Sequence, residues 1–154
     1  MEALRLIDAT VLLLCASIYL GTGVTLAFFL FPIAPLLTPD TYRAPFVNPV
    51  AAATKFFTYM TIVMLLGSIA LVVIDWGEDG RWLFGAGYLL LTIAATVLTM
   101  VGIFPYNKRM AAGITDAAEL QDVLAKWRRV NTLRASIWAV QWAVITAWWI
   151  VYAA

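Results

Sequence analysis

The side chains equipped for chemistry are few, and they sit near the ends of long apolar stretches. Lys55 and Tyr59 stand about one helical turn apart, Thr96, Thr99 and Asn107 lie at the end of another stretch, and Trp127, Asn131 and Arg134 recur at helical spacing. Lys55 and Arg134 could bind an anion or a phenolate, Tyr59 could transfer a proton, and Asn107 and Asn131 could orient a carbonyl. The plainer account is that Lys55 and Arg134 extend toward lipid phosphates, Tyr59 belongs to an aromatic belt and Asn107 ends a helix.

What the chain lacks narrows the chemistry. It contains no histidine, the commonest acid, base and metal ligand at physiological pH, so no metal and no cofactor is expected. Its glycines match no nucleotide-binding fingerprint, since Gly21 and Gly23 lie inside an apolar run. No lysine or carboxylate is expected deep in the apolar stretches, which disfavours a proton pump. A net charge of +1 without a basic cluster suited to phosphates excludes nucleic acid as a partner. A single cysteine, Cys15, allows no internal disulfide.

The elements that must position these residues follow from charge segregation. The chain is 64% hydrophobic and 12% charged, and residues 9–37, 56–74, 82–107 and 135–154 carry no Asp, Glu, Lys or Arg. Each run can supply the roughly 20 residues that cross hydrocarbon as a helix, and continuous apolarity argues for helices over barrel strands. The predicted fold is therefore all-α, an integral membrane four-helix bundle in a single transmembrane domain. Its spans are expected at about 9–31, 52–76, 82–104 and 134–153. Helix 4 is extended into the cytoplasm by a charged stem over about 116–133, opened by a capping box at Asp116 and Glu119. The first span is too long, and its lead too little basic, for a cleaved signal. Pro32 and Pro35 end or kink helix 1, a loop covers 38–49, helix 2 starts near Pro49, and helix 3 stops before Pro105.

Arg43, Lys55, Lys108, Arg109, Lys126, Arg128, Arg129 and Arg134 fall on the side of the first and third connections, whereas Arg5 and Arg81 fall on the other. Positive residues favour the cytoplasm, so both termini are expected on the non-cytoplasmic side of a cell (inner) membrane. Ser17, Gly21 and Thr25, with Gly23 and Ala27 beside them, form an expected docking face on helix 1, and Gly85 and Gly87 a second on helix 3. Helix 4 carries small residues on one face (Ser136, Ala143, Ala147) and Trp138, Trp142, Ile145 and Trp149 on the other. Burying both calls for something beyond the bundle: a membrane protein partner, self-association, or a bound apolar ligand. Trp138, Trp142 and Trp149 are the expected interface residues.

The prolines closing a glycine-bearing first span (Gly21, Gly23, Pro32), the Pro-x-Asn at Pro105 and Asn107, and the Trp-x-x-x-Asn-x-x-Arg at Trp127, Asn131 and Arg134 resemble the anthrone-oxygenase-like family of small four-helix membrane proteins. The resemblance implies oxidation of an aromatic anthrone to a quinone without metal or flavin, with Asn107, Trp127, Asn131 and Arg134 as the residues to carry over. Some relatives have histidine where this chain has Asn131, which leaves a general base without a candidate. The residues support three readings: an accessory subunit of a larger respiratory or photosynthetic membrane complex, placed first; a cofactor-free oxygenase; and a binder of quinone or another apolar ligand.

Overall fold

A computed structural model describes residues 2–152. Four long helical segments follow one another: α1 (Glu2–Leu36), α2 (Arg43–Ile74), α3 (Trp82–Ala112) and α4 (Ala117–Tyr152), each long and apolar enough to cross a membrane. No strand occurs among the described residues. The chain is thus the all-helical membrane bundle that charge segregation requires.

The helices run antiparallel in sequence order, each packed on its neighbours in a ring. One end of the bundle, here the terminal end, gathers the start of α1, the α2–α3 turn and the end of α4. The opposite loop end gathers the α1–α2 and α3–α4 connections. Gly77 and Gly80, with φ of 85° and 76°, make the tight α2–α3 turn; only glycine takes such angles at little cost. Of the two glycines on the docking face expected on α1, only one sets a close approach. Gly21 faces open space, whereas a Cβ at Gly23 would lie 3.1 Å from that of Ala135, so Gly23 makes the α1–α4 contact. On α3, a Cβ at Gly85 would come within 3.0 Å of the Val72 backbone nitrogen, which makes Gly85 the α2–α3 contact.

Pro32, expected to end or kink α1, and Pro49 and Pro105, expected to start α2 and stop α3, all lie inside helices. Phe31 donates its N–H to Leu26 O, Asn48 to Arg43 O, and Phe104 to Thr99 O. Each donor immediately precedes a proline, Pro32, Pro49 or Pro105. A proline lacks the N–H for the next bond, and its ring collides with the carbonyl four residues back. Reaching back five residues widens the turn, relieves that collision and lets the helix continue. Helix α1 therefore runs on to Leu36, α2 begins at Arg43, and α3 continues past Pro105 to Ala112. All three wide turns lie toward the loop end.

Asp116 caps α4, its Oδ1 accepting from the N–H groups of Ala118 (2.7 Å) and Glu119 (3.3 Å). Glu119 does not complete the box; it pairs with Arg109, whose Nε lies at 2.6 Å. Nor does the stem project freely: Leu120, Val123, Leu124 and Trp127 are buried against α1, α3 and the connections. Tyr42 locks these connections together, donating to Met110 O (2.9 Å) and accepting from the Ile114 N–H (2.9 Å).

Two apolar cores result. One, around Leu12, Leu71, Tyr88, Ile145 and Trp148, fills the terminal end. The other, around Tyr42, Phe46, Ile103, Leu124 and Trp127, fills the loop end. Residues of both line an open space between them.

Candidate functional site: an apolar cavity with one cation

The cavity has a volume of about 590 Å³, within the roughly 300 to 1,000 Å³ of small-molecule sites. All four helices contribute to its wall. Tyr19 and Leu30 come from α1, Phe57 and Met64 from α2, Thr92 and Asn107 from α3, and Trp127 and Arg134 from α4. Thr54, Thr58 and Ile62 of α2 and Met100 and Phe104 of α3 line it and are also exposed. It is therefore open between these two helices instead of sealed.

Most of the wall polarity comes from threonines whose hydroxyl protons are already used. Thr54, Thr58 and Thr61 on α2, and Thr92, Thr96 and Thr99 on α3, each donate to the carbonyl four residues back. What they offer the cavity is lone pairs. Donors are scarce, and the strongest is Arg134. Its guanidinium donates to Thr99 Oγ1 at 3.2 Å and to Asn131 Oδ1 at 2.6 Å, and lies 4.5 Å over the Trp138 ring. The Nε is buried without a partner. Among the described residues no carboxylate forms an ion pair with Arg134, and neither Asp nor Glu lines the cavity. A cation on a low-dielectric wall without a counter-ion attracts an anionic oxygen far more strongly than it would in water.

A chain of bonds holds that cation. Asn107 Oδ1 accepts from Trp127 Nε1 (2.9 Å), Asn131 Nδ2 donates to Trp127 O (2.9 Å), and Asn131 Oδ1 takes the guanidinium. Asn107, Trp127 and Arg134 touch the cavity, while Asn131, fully buried, stands behind Arg134. The four residues singled out by the Trp-x-x-x-Asn-x-x-Arg and Pro-x-Asn patterns are thus brought together.

Lys55 and Tyr59 are not part of this group. Both are exposed, Tyr59 to 61%, and neither lines the cavity. The buried stripe of α2 is Met60, Met64, Ser68 and Leu71, and helical phase turns Lys55 and Tyr59 away from it. The tryptophans expected to meet a partner turn toward their own bundle. Trp138 is buried between Tyr19 and Arg134, Trp142 is half-buried with its Nε1 3.2 Å from Ser17 Oγ, and Trp149 is half-buried against Trp148. Their burial is largely supplied by this chain.

Sequence reasoning does not single out Tyr19 or Gln141. Tyr19 shares a hydrogen bond with Thr61 Oγ1 (2.8 Å) and packs 4.9 Å from Trp138. Gln141, fully buried, donates to Thr92 Oγ1 at 2.5 Å and leaves its own carbonyl oxygen unpartnered. A glutamine in the middle of an otherwise apolar span is the signal that could have found it, because such a residue faces the bundle interior or a cavity.

No curated protein and no solved structure matches the chain. A family model described as anthrone oxygenase matches residues 46–144, a stretch that includes α3, most of α2 and every cavity residue of α4 but leaves Tyr19 and the rest of α1 outside. With well over half its length matched, and with the Asn107, Trp127, Asn131 and Arg134 cluster inside that match, the chain belongs to the anthrone oxygenase family.

Proposed function

We propose that the cavity holds a flat oxygenated polycycle of the anthrone class and promotes its oxidation by molecular oxygen to the quinone. The observation that carries this reading is Arg134, a cation without a carboxylate partner on the wall of an apolar cavity. The family's description supports the substrate class. In such a reaction the ring methylene loses a proton, and the resulting negative charge resides on the ketone oxygen as an enolate. Arg134 stabilises that oxygen, held in place by Thr99 and Asn131. The electron-rich ring carbon then reacts with oxygen, so that the methylene and O2 give the second ketone and one water. Since no Asp or Glu lines the cavity, the proton passes to water or hydroxide. Trp138, Phe57 and Tyr19 supply apolar faces for the rings.

The test is turnover of a hydroxyanthrone by the purified protein in lipid nanodiscs, followed by quinone absorbance and oxygen uptake. One oxygen consumed per quinone, with the rate lowered about a hundredfold or more in Arg134→Ala, supports the reading. Absence of acceleration over protein-free nanodiscs overturns it. The orientation that fits this reading puts the loop end in the cytoplasm, in keeping with the basic residues there.

The second reading is an accessory role in a larger membrane assembly. Ser136, Val140 and Ala143 form an outward strip on α4 that this chain leaves exposed, and small residues on a lipid-facing strip allow close helix contact. Native mass spectrometry from a mild detergent separates the two readings, because it weighs bound protein and bound small molecules together.

A further inference from the structure

A second cavity of about 300 Å³ lies beside the first, walled by Phe46, Val47, Ala51, Lys108, Met110 and Ala111 among others. Val50, Thr54, Phe104 and Asn107 line both. The two are therefore neighbouring compartments of one elongated groove between α2 and α3. Its ends are chemically alike: the inner one presents Arg134 and the outer one Lys108, exposed on the turn of α3 beyond Pro105. Arg43 adds positive charge near the outer end, since its Nη1 donates at 3.3 Å to the carbonyl of Ala111, itself a wall residue. Apart from the amides of Asn107 and Gln141, the rest of the wall is apolar or threonine, without Asp or Glu in either compartment.

We infer that the groove selects an elongated polycyclic ligand with an acidic oxygen at each end, an enolate or phenolate at Arg134 and a carboxylate at Lys108. This rests on the reading that the inner cavity binds an anthrone-class ring system, and it makes Lys108 a specificity residue. An isolated apolar ring would need only the inner compartment. The outer one adds length, and its cation discriminates between a carboxylated and an uncharged ring.

The experiment measures binding of two product analogues, a hydroxyanthraquinone and the same ring system carrying a carboxylate, by quenching of tryptophan fluorescence. Protein in phosphatidylcholine nanodiscs is used, so that no anionic lipid competes. The carboxylated quinone should bind more tightly by about threefold to fivefold, the worth of an exposed ion pair. Lys108→Glu should remove or invert that preference by weakening the carboxylated quinone much more than the hydroxyanthraquinone, and Lys108→Ala should remove it without inversion. Equal affinities of both quinones in the wild type, or a Lys108→Glu effect of the same size on both, overturns the inference. If the uncharged quinone binds in an Arg134-dependent way while Lys108 is silent, only this inference falls. If neither quinone binds, the inner-cavity reading falls with it.

Discussion

Arg5 near the start of α1 and Asp75 just beyond α2 meet at 2.7 Å in the interior of the terminal end, both buried. Asp75 also accepts from Trp148 Nε1 of α4 at 2.9 Å, so one carboxylate ties three helices together. Glu78 in the α2–α3 turn and Glu2 lie 3.5 Å from the same guanidinium. The buried pair holds the end of the bundle away from the cavity, and it provides the first prediction. Arg5→Ala leaves Asp75 as an uncompensated buried charge and should cost about 3 to 5 kcal/mol. Asp75→Asn should cost less than Arg5→Ala, since the amide can still accept from Trp148. Denaturant unfolding in detergent, followed by circular dichroism, measures both; equal stability to the wild type would contradict the assignment.

Tyr42→Phe tests the clamp at the loop end. The substitution keeps the ring and removes one oxygen, leaving the Ile114 N–H without a partner and the Met110 carbonyl with the Gly113 N–H alone. A buried group so orphaned costs about 1 to 3 kcal/mol. The loss should be local to the connections, visible as faster amide exchange around 110–116 with the α2–α3 contact at Gly85 unchanged.

Gly85→Ala should destabilise by about 1 to 3 kcal/mol, because the new methyl meets backbone of α2, which cannot swing aside like a side chain. Gly21→Ala, facing open space, is the control and should be neutral or slightly stabilising. Thermal unfolding of the pair in one detergent decides it.

Arg134→Ala should lower kcat/KM for a hydroxyanthrone by about a hundredfold to a thousandfold, the usual effect of deleting a donor to a developing oxyanion. Arg134→Lys keeps the charge but loses the flat fork that reaches Thr99 and Asn131 together, and should recover only part of the rate. Asn131→Ala touches the ligand only through Arg134 and should lower kcat more than it raises KM. Asn131→Asp, which places a carboxylate against the cation, should be worse than Asn131→Ala while the fold is retained.

Much of this molecule is legible in its sequence. Four uncharged stretches dictate four helices, Asp116 marks the start of α4, and Gly77 and Gly80 mark the turn. The failures have physical causes. Prolines signal termination in water, but a helix surrounded by lipid and neighbouring helices can widen by one residue and continue, as α1, α2 and α3 do. The facing of Lys55 and Tyr59 was not legible because α2 is apolar all round, so its sequence carries no amphipathic phase; only packing against α1 and α3 sets it. On α4 the tryptophan stripe was visible, but not that α1 brings Gly23 and Tyr19 close enough to cover Trp138. Within the site, Asn107, Trp127, Asn131 and Arg134 were readable as a spacing. Gln141 was readable in principle, as a lone amide in an apolar run.

The wide turns before Pro32, Pro49 and Pro105 also set where the loop-end residues point. Each accommodates a surplus amino acid relative to an ordinary turn, so that the residues beyond it keep the phase of the helix before it. Excising one residue from 99–103 would let α3 relax to regular geometry with Asn107 and Lys108 still facing the groove, whereas excising one from the regular stretch 93–98 would swing both around the axis by about 100°. The helix would survive either deletion, but the second would take the groove's floor away. The angular alignment of the site is thus stored in the number of residues between two points of the chain as much as in their identity.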